Sequence, residues 1–335
     1  MSWSEHRGSA APRRVRGAPS PRPHAPSQGR GTPRRPRGCH RPPGGSRGPH
    51  RHPAHDARGA RGPAGAAARA RARARDRLRG RRGLPDPAER ALETAREQLG
   101  IEVAAISATM SLPPGGEGPT LRDDLALHVE QARRAGTRMI RIGMMPTAAL
   151  RSREAFDAFV AEVDGCAQQL ATEGISLSYH NHHVEFARID GTTLLDRLRA
   201  GAPHLRYEID CHWVQRGGRD PERTLAEFAG VLDLVHLKDH RIALPSTEVL
   251  DARDAGDRGT WDRYWGGDIV QFAEVGEGPL DWRSVIEQAL ASGAHHLLIE
   301  QDRTYGRDIW ESLAASRAHL VALGYEGMFT TGGRR

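Results

Sequence analysis

The chain has 335 residues, 49 Lys+Arg against 42 Asp+Glu, and a formal charge of +7. That average joins two unlike parts: residues 1–85 hold 22 Arg, no Lys and three acids (Glu5, Asp56, Asp76), a net of +19, whereas residues 86–335 carry −12. The division excludes reading the whole chain as a basic nucleic-acid binder, and the acidic larger part argues against a nucleic-acid partner.

Residues 1–85 lack the means to build a core. Their large apolar residues are Met1, Trp3, Val15, Leu78 and Leu84, and they carry 13 of the 22 prolines. Ordering a residue costs about 1–2 kcal/mol of backbone entropy, which so little apolar surface does not offset. The segment is therefore expected to be disordered and to contribute no strand. Three readings of it stand open: an electrostatic contact with nucleic acid or an acidic surface, a targeting segment, and GC-rich DNA translated out of frame. The Ala-Arg repeat from Ala68 to Arg75 favours the last. Cys39, Cys166 and Cys211 are too scattered for a disulfide framework or a zinc site. No apolar run reaches about 18 residues and no secretory-type apolar stretch opens the chain, so a soluble cytoplasmic protein without a membrane partner is expected.

From Pro87 onward, strand-like and helix-like runs alternate. A helix over 87–99 precedes a strand over 101–108 and a helix over 121–135. A strand over 138–144 follows, then a long helix over 153–173 with Phe156, Phe159, Val160, Val163, Cys166 and Leu170 on one stripe and Gly174 just past its end. Next come strand 175–182, helix 193–200, strand 205–213, helix 220–229 with Pro221 in its first turn, and strand 232–238. A polar stretch, 240–271, interrupts the pattern. Helix 281–292, strand 295–300 and helix 308–323 complete it. Six strands each followed by a helix predict an α/β fold, a parallel sheet with helices outside. Residues 86–335 read as a (β/α)8 TIM barrel that is incomplete, its first two strands missing where the Arg-rich segment lies.

Alternation along each strand separates two faces. Leu177 and Tyr179 oppose Ser178, His180 and His182. Tyr207 and Ile209 oppose Glu208, Asp210 and His212. Val235 and Leu237 oppose Leu234, His236 and Lys238. Leu297 and Ile299 oppose His296, Leu298, Glu300 and Asp302. Four strands thus bring His180, Asp210, His236 and Glu300 inward at their C-terminal tips, the rim where barrel enzymes place their sites. Imidazole and carboxylate together suit Mn²⁺, Co²⁺, Zn²⁺ or Fe²⁺.

The run Tyr179-His180-Asn181-His182-His183-Val184-Glu185-Phe186 resembles the Tyr-His-Asn-His-x-x-Glu-Phe signature of the xylose-isomerase-like sugar phosphate isomerase/epimerase superfamily, which also contains inosose dehydratases. So do His236-Leu237-Lys238-Asp239, the segment from Phe272 to Gly278 with Leu280-Asp281-Trp282, and Ile299-Glu300-Gln301-Asp302. The resemblance covers roughly 89–325. It implies one divalent metal ion, Mn²⁺ before Co²⁺, Zn²⁺ or Mg²⁺, held by Asp210, His236, Glu300 and a residue of strand 175–182. That fourth ligand is a Glu in the family's epimerases. Here the inward position is His180, with Glu185 as the alternative. A small sugar or sugar-derived substrate is implied too.

The chemistry so implied is isomerisation or epimerisation through an enediolate, in which a base removes the proton next to a carbonyl and an acid returns one. His182, Glu300 and Lys238 are the candidate catalytic residues. Lys238, the single lysine, is expected either to have a lowered pKa beside a cation or to pair with Glu208 or Asp210. Glu208 reads as a buried ion-pair partner one layer down. His212, Arg303 and Tyr305 are candidate substrate contacts. Trp265 in the stretch 240–271 is another, that stretch serving either to cover the site or to pack on the barrel or on a second subunit. The alternatives are a metal-dependent dehydratase (lyase) of a keto-inositol or 3-keto-sugar and, from another class, the inactive product of a damaged gene.

Overall fold

The computed structural model describes residues 87–329. The expectation for residues 1–85 lies outside the described residues. A helix α1 (Pro87–Leu99) leads into β1 (Ile106–Ala108), α2 (Leu121–Ala135), β2 (Met139–Ile142), α3 (Arg153–Thr172) and β3 (Ser176–His180). A two-stranded ribbon, β4 (Arg188–Ile189) and β5 (Thr192–Thr193), precedes α4 (Leu194–Gly201). Then follow β6 (Arg206–Asp210), α5 (Cys211–Arg216), α6 (Pro221–Glu227) and β7 (Leu232–Leu237). After the segment from 239 to 273 come α9 (Trp282–Ala291), β10 (His296–Ile299) and α10 (Ile309–Ala322).

Local chemistry sets these boundaries. Thr120, Ser152, Thr193 and Asp220 each accept a hydrogen bond from the backbone N–H three residues on, satisfying a donor that the first helical turn leaves open. Gly136 ends α2 in the left-handed conformation, φ 73°, which costs a glycine little.

The six strands expected from the alternation form one sheet in the order β1-β2-β3-β6-β7-β10, every pair parallel. Leu177, Tyr179, Tyr207, Ile209, Val235 and Leu237 are buried and belong to the core that also holds Phe156, Phe159, Val163 and Leu170 of α3. Full burial of each such side chain contributes about 1.5–3 kcal/mol. The other face of the sheet carries His180, Glu208, Asp210, His236 and Lys238, all nearly inaccessible to solvent. A register shift between Tyr207 and Glu208 sets Asp210 directly beside His236. Without it the two would fall one position apart and on opposite faces. The outer strands differ from the centre: β7 is buried along its whole length, β10 only partly.

Three expectations need correction. The strand expected over 205–213 stops at Asp210, because the Asp210 carboxylate accepts the Trp213 N–H at 2.9 Å and starts α5. His212 is therefore helical and does not continue the inward alternation of β6. The strand expected over 101–108 is confined to 106–108. The stretch 240–271, expected only as a polar interruption of the pattern, holds regular elements: β8 (Asp239–Ile242) pairs antiparallel with β9 (Val270–Ala273), and between them lie α7 (Thr247–Asp254) and α8 (Arg258–Arg263). Among the described residues no helix is long and apolar enough to cross a membrane.

Candidate metal centre

His180 and Asp210 are the last residues of β3 and β6, His236 lies one residue before the end of β7, and Glu300 follows β10 directly. The parallel register brings them together as the alternation predicts. One ligand atom from each lies within 4.8 Å of all the others. His180, Asp210 and His236 are buried, and the Glu300 side chain is 30% exposed.

Neighbouring polar groups hold these side chains in place. Asn181, fully buried, accepts the Asp210 backbone N–H on its Oδ1 at 2.9 Å. Asp210 uses Oδ1 for the Trp213 N–H, which leaves Oδ2 facing the cluster. Beneath them Glu208, fully buried, accepts a hydrogen bond from Arg141 at 3.1 Å.

The donor set fits a divalent cation. Asp210 Oδ2, His236 Nδ1 and Glu300 Oε2 are buried and make no hydrogen bond of acceptable geometry. His236 Nδ1 and Glu300 Oε2 nonetheless stand 2.8 Å apart, an ion-pairing distance. Lys238 Nζ stands 2.7 Å from Glu300 Oε2 and 3.5 Å from Asp210 Oδ2, so these oxygens are ion-paired, and what speaks for a shared cation is the convergence of the donor atoms of four side chains on one point. Two imidazoles and two carboxylates suit Mn²⁺, Co²⁺, Zn²⁺ or Fe²⁺. Donors bonded at about 2.0–2.2 Å to one ion lie at most about 4.4 Å apart, so the cluster is within a few tenths of an ångström of binding dimensions.

The electrostatics follow from this crowding. Burial, with His236 and His182 adding to it, drives the His180 imidazole far below its ordinary value. Burial opposes ionisation of Glu300, yet His236 and Lys238 outweigh it and hold the carboxyl well below the usual range. His236 goes the other way: burial lowers it, and Asp210, Glu208 and Glu300 together raise it well above an ordinary histidine.

Lys238 sits at the edge of the cluster, its Nζ 2.7 Å from Glu300, 2.9 Å from Asp302 and 3.5 Å from Asp210. Of the two expectations for it, pairing with Asp210 is the one the structure shows. Burial lowers its pKa, but the carboxylates prevail and the net direction is upward. His182 is half-buried, its ring 4.6 Å from that of His180, with Nδ1 free of a hydrogen bond. Glu185 is engaged elsewhere: its carboxylate accepts from Tyr179 Oη at 2.6 Å and from the His182 N–H at 2.7 Å.

A cleft of about 420 Å³ is lined by Trp213, Arg216, Phe272, Arg303 and Tyr305, among others. It adjoins the cluster, since the Trp213 and Phe272 rings flank Lys238 Nζ at 5.3 and 5.2 Å. Arg303 and Tyr305, two of the candidate substrate contacts, are among its lining residues. His212 does not line the cleft: it is buried on α5 among Trp213, His240 and Phe272. Trp265 also lies outside the cleft lining, 63% exposed and stacked on Trp261 at 5.8 Å. Sequence reasoning missed Arg141, Asn181, Trp213, Arg216 and Phe272 as parts of the site. Arg141 was findable, because on a buried strand a lone Arg between two isoleucines has to face polar company.

The sequence model of the xylose isomerase-like TIM barrel family matches residues 64–321. Two crystal structures of sugar phosphate isomerase/epimerases from Parabacteroides distasonis ATCC 8503 share the fold. One aligns over 71% of this chain and 76% of its own, at 16% identity and a TM-score of 0.52. The other aligns over 71% and 82%, at 16% identity and a TM-score of 0.53. A search of curated proteins found no match.

Proposed function

The chain belongs to the xylose isomerase-like TIM barrel family, and on that premise we propose that it is a divalent-metal-dependent isomerase or epimerase of a sugar or sugar phosphate. The observation that carries the reading is the convergence of His180, Asp210, His236 and Glu300, from four strands, on one buried point at the barrel rim. A divalent ion held there, Mn²⁺ by preference, supplies Lewis acidity toward a substrate carbonyl. The remaining work falls to the chain's own groups. His182, with an uncommitted ring nitrogen beside the cluster, takes or returns the proton on the carbon next to the carbonyl. Glu300, shared between the cluster and Lys238, is the second group placed to carry that proton. Lys238 presents a cationic N–H to a substrate oxygen and keeps Glu300 and Asp302 oriented. Trp213 and Phe272 wall off water on the cleft side.

The test is solvent exchange. The Mn²⁺-loaded chain in D₂O with a panel of ketoses and their phosphates is expected to incorporate deuterium at the carbon next to the carbonyl, read by NMR. His182→Gln should retain the metal and lose roughly 10²–10⁴-fold of the exchange rate. Stoichiometric metal with no exchange in any ketose would overturn the reading.

A further inference from the structure

Resting on that reading of the cluster, we propose that Glu208 is the positioning residue of the metal site, a single carboxylate set between the two imidazoles that fixes which ring nitrogen each presents to the ion. Glu208 lies on β6 two residues before Asp210, on the same inner face, and pairs in register with His180 of β3. It is fully buried. Its Oε1 stands 3.1 Å from His236 Nε2, and its Oε2 3.6 Å from His180 Nδ1.

The opposite nitrogen of His236 points the other way. Nδ1 lies 2.8 Å from Glu300 Oε2 and 3.6 Å from Asp210 Oδ2, among the carboxylates of the cluster. Carboxylate oxygens accept hydrogen bonds, so each imidazole turns an N–H toward Glu208 and keeps its lone pair for the other side. His236 then binds through Nδ1 with its proton on Nε2, and His180 binds through Nε2 with its proton on Nδ1. The two histidines use different nitrogens because they flank one carboxylate from adjoining strands.

A plain structural salt bridge accounts for less of the geometry. Arg141 engages only Oε2. Oε1 is buried and has no well-formed hydrogen bond, and neither has His180 Nδ1. Each of these atoms lacks what the facing partner offers. Groups that hold the non-ligating nitrogen of a metal-bound histidine fix its tautomer and ring orientation, and their loss costs about 10–100-fold in metal affinity.

The experiment uses the full chain labelled with ¹⁵N-histidine and loaded with Zn²⁺, a diamagnetic probe, with long-range ¹H–¹⁵N correlation to identify the metal-bound and protonated nitrogens. The expected pattern is Zn²⁺ on Nδ1 of His236 and on Nε2 of His180. Glu208→Gln, which keeps the shape but offers one acceptor oxygen in place of two, should weaken Zn²⁺ binding by about 10–100-fold. Binding of His236 through Nε2, or of both histidines through the same nitrogen, overturns the proposal, as does wild-type affinity in Glu208→Gln. Should that variant not fold, the nitrogen pattern of the wild-type chain decides alone. Zn²⁺ held through the wrong nitrogens defeats this inference only, whereas no Zn²⁺ binding at these residues defeats the metal reading with it.

Discussion

Glu185 and His180 compete in the sequence for one role, and their hydrogen bonds separate them. Both lie in the run 179–186, where the strand alternation favours His180, the inward position, and leaves Glu185 as the alternative. In the fold both Glu185 oxygens are occupied in closing the turn after β3. His180→Ala is therefore predicted to weaken divalent-metal binding more than the roughly tenfold lower bound for losing an outer partner. Glu185→Gln should leave metal affinity nearly unchanged and lower stability by about 1–3 kcal/mol, the cost of disturbing buried hydrogen bonds. Parallel metal titration and denaturant unfolding check both, and the reverse pattern would move the ligand to Glu185. The inward residues of the strands were legible because a period of two assigns every side chain to a face. Trp213 and Arg216 were not, because a six-residue helix, capped by Asp210, is too short to show helical periodicity.

Elements with a repeated pattern were read closely from the sequence. Helices α2 and α3 begin at 121 and 153, where the helical spacing of their apolar residues predicts them. The β8–β9 ribbon escaped, because its partners, as far apart as Asp239 and Ala273, carry no local signal of pairing. What fastens this ribbon to the barrel is Asp239. Its buried carboxylate accepts from Trp282 Nε1 at 2.7 Å, from the His240 N–H at 2.9 Å, and from the Gly276 and Gly278 N–H groups at 3.2 Å. A Cβ on Gly278 would overlap that carboxylate and the His240 carbonyl. Gly278→Ala is accordingly predicted to destabilise by about 1–3 kcal/mol, seen as a lowered Tm. Unchanged thermal unfolding would show that the ribbon is not fastened there. Helix α2 makes a pH prediction. His128 is buried, neither ring nitrogen has a well-formed hydrogen bond, and burial pushes its pKa down despite Asp124. The unfolded chain takes up a proton near pH 6.5 that the folded chain refuses. Its share of stability is therefore complete above that pH and falls by up to about 1.4 kcal/mol per unit as pH drops toward the folded pKa. His128→Leu should flatten this part of the stability profile between pH 6.5 and 5, and an unaltered slope would contradict it.

Across the whole molecule, the described residues supply six of a barrel's eight strands, with β1 and β10 at the outer edges of the sheet. The −12 of residues 86–335 and the +19 of residues 1–85 were plain in the composition, and the parallel pairing of the strands followed from the alternation of strand-like and helix-like runs. If residues 1–85 contribute no strand, the amides of β1 and β10 exchange with solvent faster than those of β3, β6 and β7. Equal protection in a hydrogen-exchange experiment would mean that other strands of the chain pair with those edges. The rim formed by β3, β6, β7 and β10 carries all four proposed ligands, so metal binding is expected whether or not further strands pair beyond β1 and β10. The most direct test is metal content: metal-free full-length chain is titrated with Mn²⁺, freed of excess, and measured by elemental analysis beside Asp210→Asn, His236→Ala and Glu300→Gln. A single centre built from these side chains predicts stoichiometric metal in the wild type and its loss in each variant, and full metal content in two of the three would contradict it.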